Sequence, residues 1–402
     1  MPGRLTRSKT LLYSAGSIGA GAFFAFNNFV LPQLLKAAGA SDLLTGLLAS
    51  TRSIEGAIIQ PAVGALSDRT RTRLGRRRPF IAAGIPLSAA FFLFAATQRD
   101  VLGLTIAIVL FSVFFNIAAD PYVALLADIT TVAERGILQG VSTAIQLASQ
   151  VAFLLVISRA STDGVPAWTF PLVGALLVSS FAITVAGVHE PALVDHAGAR
   201  LGLRRYVAEL AEHREALRYL AAIFVFMVGF SAVLPYLTLF ITVDIGESES
   251  VALLLAAGTL LVTAVAAVIF GKVADRIGTK TVLVVGWTLL AVAAFGGIVI
   301  HGLPQTIAVV VLAGIGNGAA TAAGWPLLAA LVPPEKTGVF AGLKAAAESV
   351  AIPASVVVAA QLFLPRFSYR GVFVLLAIAI LVALVILIRS VRAPAPGSAQ
   401  PA

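Results

Sequence analysis

Five ionisable residues, Arg52, Glu55, Asp120, Lys344 and Glu348, stand inside long apolar stretches of this 402-residue chain. A charge at such a place costs about 2.5 kcal/mol or more on membrane-insertion scales, so each calls for a partner or a function. Arg52 and Glu55 lie three apart and Lys344 and Glu348 four apart, spacings that put each couple on one helical face as an ion pair. Either pair is a static structural feature or part of a proton-coupling device. Asp120 differs, because Ser112, Asn116 and Asp120 form a polar stripe, Pro121 follows to weaken the helix, and no basic residue lies within its turn. Desolvation raises the pKa of such a carboxyl and a nearby cation lowers it, which is the balance a proton carrier needs. The expectation is that Asp120 carries the coupling proton and exchanges an ion pair with Lys344 of the other half.

Neutral polar and aromatic residues accompany these charges. Asn27 and Asn28 sit beside Phe23, Phe24 and Phe26, and Ser142, Gln146, Ser149, Gln150 and Phe153 recur at helical spacing. Amides exchange hydrogen bonds with hydroxyls and aromatic faces stack on sugar rings, so Asn27, Asn28, Phe24, Asn116, Gln146 and Gln150 are candidate contacts for a hydroxyl-rich solute. The competing reading is that such residues only glue helices together. Asn317 and Trp325 are weaker candidates, since Gly314, Gly316 and Gly318 suggest close packing there. With no cysteine and four scattered histidines, neither a metal site, a thiolate nor a Ser-His-Asp arrangement is expected. No cofactor is expected beyond a coupling ion, a proton or Na+.

The elements that must hold these residues are membrane helices. The chain is 59% apolar and 12% charged, with a mean hydropathy of +0.98, whereas soluble domains run near about 45–50% and 25%. Twelve spans are expected, near 11–34, 43–66, 80–97, 101–125, 137–158, 167–188, 219–242, 251–270, 281–300, 305–330, 338–362 and 371–388. The first lacks a small-residue cleavage site and reads as a retained span, not a signal peptide. With both termini cytoplasmic, only Lys36, Arg99, Arg159, Arg366 and Arg370 of 28 basic residues fall in outer loops. The net charge of +9 thus reflects topology and attraction to anionic headgroups, and nucleic acid is not an expected partner.

The chain also repeats itself. Gly64, Asp68, Arg69, Gly75 and Arg76 recur as Gly271, Asp275, Arg276, Gly278 and Lys280, and Glu134, Arg135, Gly136 and Gly140 recur as Glu335, Lys336, Gly338 and Gly342. In this register Ser142 and Gln146 correspond to Lys344 and Glu348. The organisation expected is a six-helix bundle over 1–188, a polar linker with an interfacial helix over 189–218, a second bundle over 219–390, and a disordered tail from 391.

Two six-span halves with an acidic, glycine and basic signature in the same loop of each resemble the major facilitator superfamily over the whole chain. The resemblance implies an all-α membrane protein of twelve transmembrane helices in two pseudo-symmetric six-helix bundles, working as a monomer, while six Lys against 22 Arg and a high Ala content point to a prokaryotic plasma membrane. It also implies that Asp68, Arg69 and Arg76, with Asp128 as their acidic partner and Asp275 and Arg276 in the second half, latch a cytoplasmic gate. The aspartate is expected to accept hydrogen bonds at a helix N-terminus, and Gly64 to permit close helix approach. Gln60-Pro61-Ala62-Val63-Gly64-Ala65-Leu66-Ser67-Asp68-Arg69, Arg73 to Ile81 and Ala124 to Asp128 resemble the sucrose-transporter and glycoside-cation symporter branch. That implies a proton-coupled sugar symporter, with an exporter of amphipathic drugs, organic acids or lipids as the alternative. The phosphate loop of an ATP-driven pump is missing from the sequence.

Overall fold

The computed structural model describes residues 6–50, 54–161, 164–190, 212–333 and 336–392. Among them there are helices and turns and no strand, only one isolated bridge between Thr72 and Gly75. In chain order the helices are α1 (Arg7–Ala37), α2 (Asp42–Ala49), α3 (Ile54–Arg69), α4 (Arg78–Ala95), α5 (Val101–Ile129), α6 (Val132–Ala160) and α7 (Thr169–Gly187). They continue as α8 (Arg214–Asp244), α9 (Glu249–Ile277), α10 (Thr279–Val299), α11 (Leu303–Ala330), α12 (Thr337–Val358), α13 (Leu364–Phe367) and α14 (Gly371–Ser390).

Ten stretches among the described residues are long and apolar enough to cross a membrane, where twelve were expected. The expected second span is divided, because α2 ends at Ala49 with Ser50 turning out of helical geometry and α3 begins at Ile54. The expected last two spans run together over Thr337–Ser390, with α13 and short turns filling the connection. The seventh starts earlier than expected, at Arg214; the rest of the linker lies outside the described residues.

Helix ends follow the local sequence. Thr6, Ser41 and Asp100 are N-caps that accept from the N–H of Lys9, Leu44 and Gly103. Thr131 and Glu134 close a reciprocal capping box on α6. Both α1 and α8 open a five-residue π turn, at Phe26–Val30 and Phe240–Asp244. Such turns are rare and frequent at functional sites.

The chain divides into two compact units, one of 1–194 with 247–257 and one of 195–246 with 258–402. Their internal geometry repeats. A Cβ on Gly84 of α4 would lie 2.8 Å from the Phe114 carbonyl and 3.0 Å from Ala118 of α5. A Cβ on Gly286 of α10 would lie 2.8 Å from the Gly316 carbonyl and 2.8 Å from the Ala320 nitrogen of α11. Each of these three positions recurs 202 residues later, so the same backbone-to-backbone crossing is built twice. The ends repeat as well. Arg78 Nε donates to the Val185 carbonyl of α7 at 2.7 Å, and Lys280 Nζ donates to the Ile388 and Val391 carbonyls at the end of α14. We expect Gly84→Leu and Gly286→Leu each to cost several kcal/mol by forcing these crossings apart. Loss of monodisperse protein on size exclusion checks this, and a well-behaved variant would contradict it.

Candidate functional site

In the first unit the aromatic residues near Asn27 fill the core. Phe23, Phe26, Phe92, Phe111 and Phe115 are buried, with Phe23 at 4.5 Å from Phe111 and 4.6 Å from Phe115, centroid to centroid. Phe24 lies at the edge, half-buried and 6.0 Å from Phe115. Asn27, in the α1 π turn, is buried and donates its amide to the Ala49 carbonyl, so it closes the C-terminal end of α2. Asn28 is half-buried beside it.

Span five contributes less than expected. Ser142 bonds Ser14 at 2.8 Å, Ser149 donates to the Ile18 carbonyl at 2.7 Å, and Phe153 is buried. The two serines glue α6 to α1, a contact made close by Gly21, whose Cβ would collide with the Gln146 carbonyl. Gln146 is half-buried and Gln150 buried, and neither side chain makes a hydrogen bond among the described residues. Asn116 is 1% exposed and donates to the Ser112 carbonyl at 3.0 Å, which leaves its carbonyl oxygen buried without a partner among the described residues. Asp120, half-buried, follows one turn later on the same face of α5.

The level of these groups is fixed by a reciprocal clasp. Tyr13 of α1 donates to the Tyr122 carbonyl at 3.0 Å and Tyr122 of α5 donates to the Tyr13 carbonyl at 2.9 Å, with the rings stacked at 4.6 Å. Neither tyrosine stands out in the sequence, because a carbonyl acceptor leaves no trace in residue type.

The second unit holds the other charges. Lys344 pairs with Glu348 on α12, as the four-residue spacing implies, both one-quarter exposed. Tyr219 of α8, buried and within electrostatic range of Glu348, donates to the Gly324 carbonyl of α11 at 2.8 Å. Trp325 is exposed next to it and Asn317 is half-buried two turns earlier. The glycines around Asn317 do pack closely, a Cβ on Gly318 falling 2.6 Å from the Thr263 carbonyl. Arg52 and the Glu55 side chain lie outside the described residues.

The loop joining α3 to α4 forms a charge network. Asp128, at the end of α5, accepts from Arg76 and at 3.2 Å from Arg77 Nε. Arg77 also reaches Asp68 at 2.5 Å and bonds Ser67. Burial alone would lower the Arg76 pKa, but the hydrogen bond and charge of Asp128, with Asp68 and Glu190, raise it overall. Since arginine is charged at every accessible pH, this adds no pH dependence. The network corrects three expectations. Arg69 is exposed and outside any ion pair among the described residues, its place taken by Arg77. Asp275 and Arg276 are likewise exposed and unpaired among the described residues. Among the described residues nothing lies within 4 Å of a Cβ on Gly64, so the close approach expected there is not seen among them.

The helix N-terminus also has a different acceptor from the one expected. Glu190, just past α7, accepts from the backbone N–H of Arg76 at 2.7 Å and of Arg77 and Arg78 at 2.9 Å each. It satisfies the orphan donors at the start of α4 and its charge complements the helix dipole. Gly75 is required there twice over, by φ of +104° and because a Cβ would fall 2.6 Å from the Glu190 carboxyl. Nothing in sequence spacing links positions 75 and 190. Glu190→Ala and Gly75→Ala should each destabilise by about 1–3 kcal/mol and the double variant by less than their sum, since the collision disappears with the carboxyl while the left-handed strain at position 75 stays. Thermal unfolding of the four proteins measures this, and full additivity would sink the pairing.

Two repeated helical units with polar and ionisable residues inside apolar spans define a multi-pass membrane transporter of the two-repeat kind. A family profile described as MFS/sugar transport protein matches residues 12–369, and the chain belongs to that family of transporters, not to an enzyme family. It is 28% identical over 185 residues to the lactose permease of Lactobacillus helveticus, a stretch covering 43% of this chain and 25% of that relative's length. Among solved structures, it is similar to a nucleoside transporter (TM-score 0.76, 12% identity, covering 95% of this chain and 99% of that one). It is also similar to a D-xylose-proton symporter (TM-score 0.70, 16% identity, covering 98% and 99%). At these identities the two structures speak to the fold alone.

Proposed function

We propose that this protein imports a small polyhydroxylated solute, a sugar or glycoside, in symport with protons by alternating access of its two units. The carrying observation is one polar layer on packed helices of the first unit. Phe24 of α1, Asn116 and Asp120 of α5, and Gln146 and Gln150 of α6 offer an aromatic edge, amides and one carboxyl, and among the described residues the Asn116 carbonyl oxygen and the Gln146 and Gln150 side chains make no hydrogen bond. Buried amides left open in this way cost about 1–3 kcal/mol each, which solute hydroxyls or water would offset. Asp120 serves as the proton carrier and Lys344–Glu348 as the charged counterpart in the second unit. Membership of a family described by sugar transport supports the substrate class, as does the similarity to a lactose permease and a D-xylose-proton symporter. The setting is a prokaryotic inner membrane with both termini cytoplasmic, and the working unit is a monomer.

The test is uptake of radiolabelled sucrose, maltose, lactose and xylose into proteoliposomes with and without an inward proton gradient. Accumulation above equilibrium that collapses with a protonophore is the expected result. Failure with every sugar, alongside gradient-driven movement of a lipophilic cation, would replace this reading by the exporter.

A further inference from the structure

Tyr219 of α8 is 1% exposed, and a phenol so deeply buried needs an acceptor for its hydroxyl. It finds one in the Gly324 carbonyl of α11, at 2.8 Å. That carbonyl has less need of the tyrosine. It stands inside helix α11, where the N–H of Leu328, four residues on, is its regular donor.

The same tyrosine lies within electrostatic range of Glu348. The packing of α8 along α12 brings the two together. His213, at the start of α8, meets Phe340 of α12 edge-on, with ring centroids 5.6 Å apart. Six residues beyond His213 and eight beyond Phe340, about two helical turns in each case, stand Tyr219 and Glu348. Glu348 is one-quarter exposed and pairs with Lys344. The other groups that face it are few. α11 carries no ionisable residue between Leu303 and Ala330, and α12 carries only Lys344 and Glu348. On α8, Arg218 is turned to Glu215 and to the Ser390 carbonyl of α14, and His213 lies toward the helix start against Phe340. The donors left for Glu348 among these helices are the Lys344 ammonium and the Tyr219 hydroxyl.

We infer that Tyr219 is a positioning residue for proton coupling: when Lys344 leaves Glu348, the Tyr219 hydroxyl turns from the Gly324 carbonyl to the carboxylate and holds it in place as an anion. The inference rests on the coupling role proposed for the Lys344–Glu348 pair. A carboxylate that loses its cation away from water recovers a proton unless another donor takes over. A hydrogen bond to a charged acceptor is about twice as strong as one to a neutral carbonyl, so the hydroxyl changes partner once the ammonium has gone. Lys344 is then released without Glu348 taking up a proton of its own, and the proton carried in each cycle stays with Asp120.

Lys344→Met imitates the released state in the full-length protein. Infrared difference titration of the purified protein follows protonation of Glu348, whose carboxyl band is identified by its loss in Lys344→Met/Glu348→Gln. Lys344→Met/Tyr219→Phe should hold that proton down to a proton concentration at least about tenfold lower than Lys344→Met does, the effect of removing a hydrogen bond to a charged group. Equal midpoints would overturn the inference. Tyr219→Phe alone keeps the ring and its packing, and gives a second measurement should the lysine variants not fold. Without the hydroxyl, release of Lys344 requires a proton on Glu348. Sugar uptake by this variant relative to wild type should therefore fall at least about tenfold in mildly alkaline buffer and recover in mildly acidic buffer. A purely structural bond to Gly324 would lower uptake equally at both, and that outcome or an unchanged profile would overturn the inference. Absence of sugar accumulation by wild type, alongside the infrared shift, would remove the sugar reading and leave the change of partner at Tyr219 standing.

Discussion

Asp120→Asn should reduce proton-driven accumulation of solute by at least about tenfold while leaving the protein folded and still able to exchange labelled for unlabelled solute. The reasoning begins with position. Asp120 is half-buried on α5, one turn beyond Asn116 and immediately before Pro121, at a level fixed by the Tyr13–Tyr122 clasp two residues later. Asparagine keeps the shape and one acceptor but has no titrating proton. A carrier that couples through this carboxyl then retains its path for solute and loses the link to the gradient. Uptake against equilibrium and exchange at equilibrium, measured on the same proteoliposomes, separate the two effects. Uphill uptake at the wild-type level would remove Asp120 from the coupling role, and loss of both activities would make it a solute contact.

The helical class and the duplication were legible in the sequence because they rest on properties summed over many residues. Long apolar runs and a recurring Asp-Arg loop survive any single misplacement. The Lys344–Glu348 pair was equally legible, since a four-residue spacing on a helix leaves little choice of partner. Partners brought together by tertiary packing were not. Ser142 and Ser149 have the composition of a solute site and turn out to hold α6 against α1, because the Gly21 crossing brings the backbones within reach of their hydroxyls. Arg77 could not be told from Arg69 or Arg76 in a loop of six arginines, and only the Ser67 hydroxyl and two carboxylates around it decide its role. Glu190 was hidden for a deeper reason. Its acceptors' donors are backbone N–H groups at 76–78, which every residue but proline carries, so residue type holds no record of the contact.

That network also makes the outcome of removing its acids unequal. Asp128 and Arg77 have side chains 14% and 8% exposed, and Asp128 accepts from two arginines at once. Asp68 is 56% exposed and draws mainly on Arg77. Removing the acid from a buried pair strands the cation, at about 3–5 kcal/mol for full burial, whereas an exposed pair contributes about 1 kcal/mol or less. Since Arg76 is one-quarter exposed and can turn toward water, Asp128→Ala should cost about 2–3 kcal/mol, and Asp68→Ala less than about 1 kcal/mol. The acid of the repeated Asp-Arg signature is therefore the weaker of the two. Asp128→Asn should stay close to Asp128→Ala, because an amide can accept one hydrogen bond but offers no charge to either guanidinium. Glutamate at the same position should recover part of the loss, the longer arm keeping the charge. Thermal unfolding in detergent ranks the four variants. An Asp68→Ala protein as unstable as Asp128→Ala would mean that exposure does not govern this network, and that Asp68 is held by contacts other than Arg76 and Arg77. With the order as expected, a solute leak confined to Asp128→Ala would connect the same two arginines to closure of the transport path, which stability measurements alone do not reach.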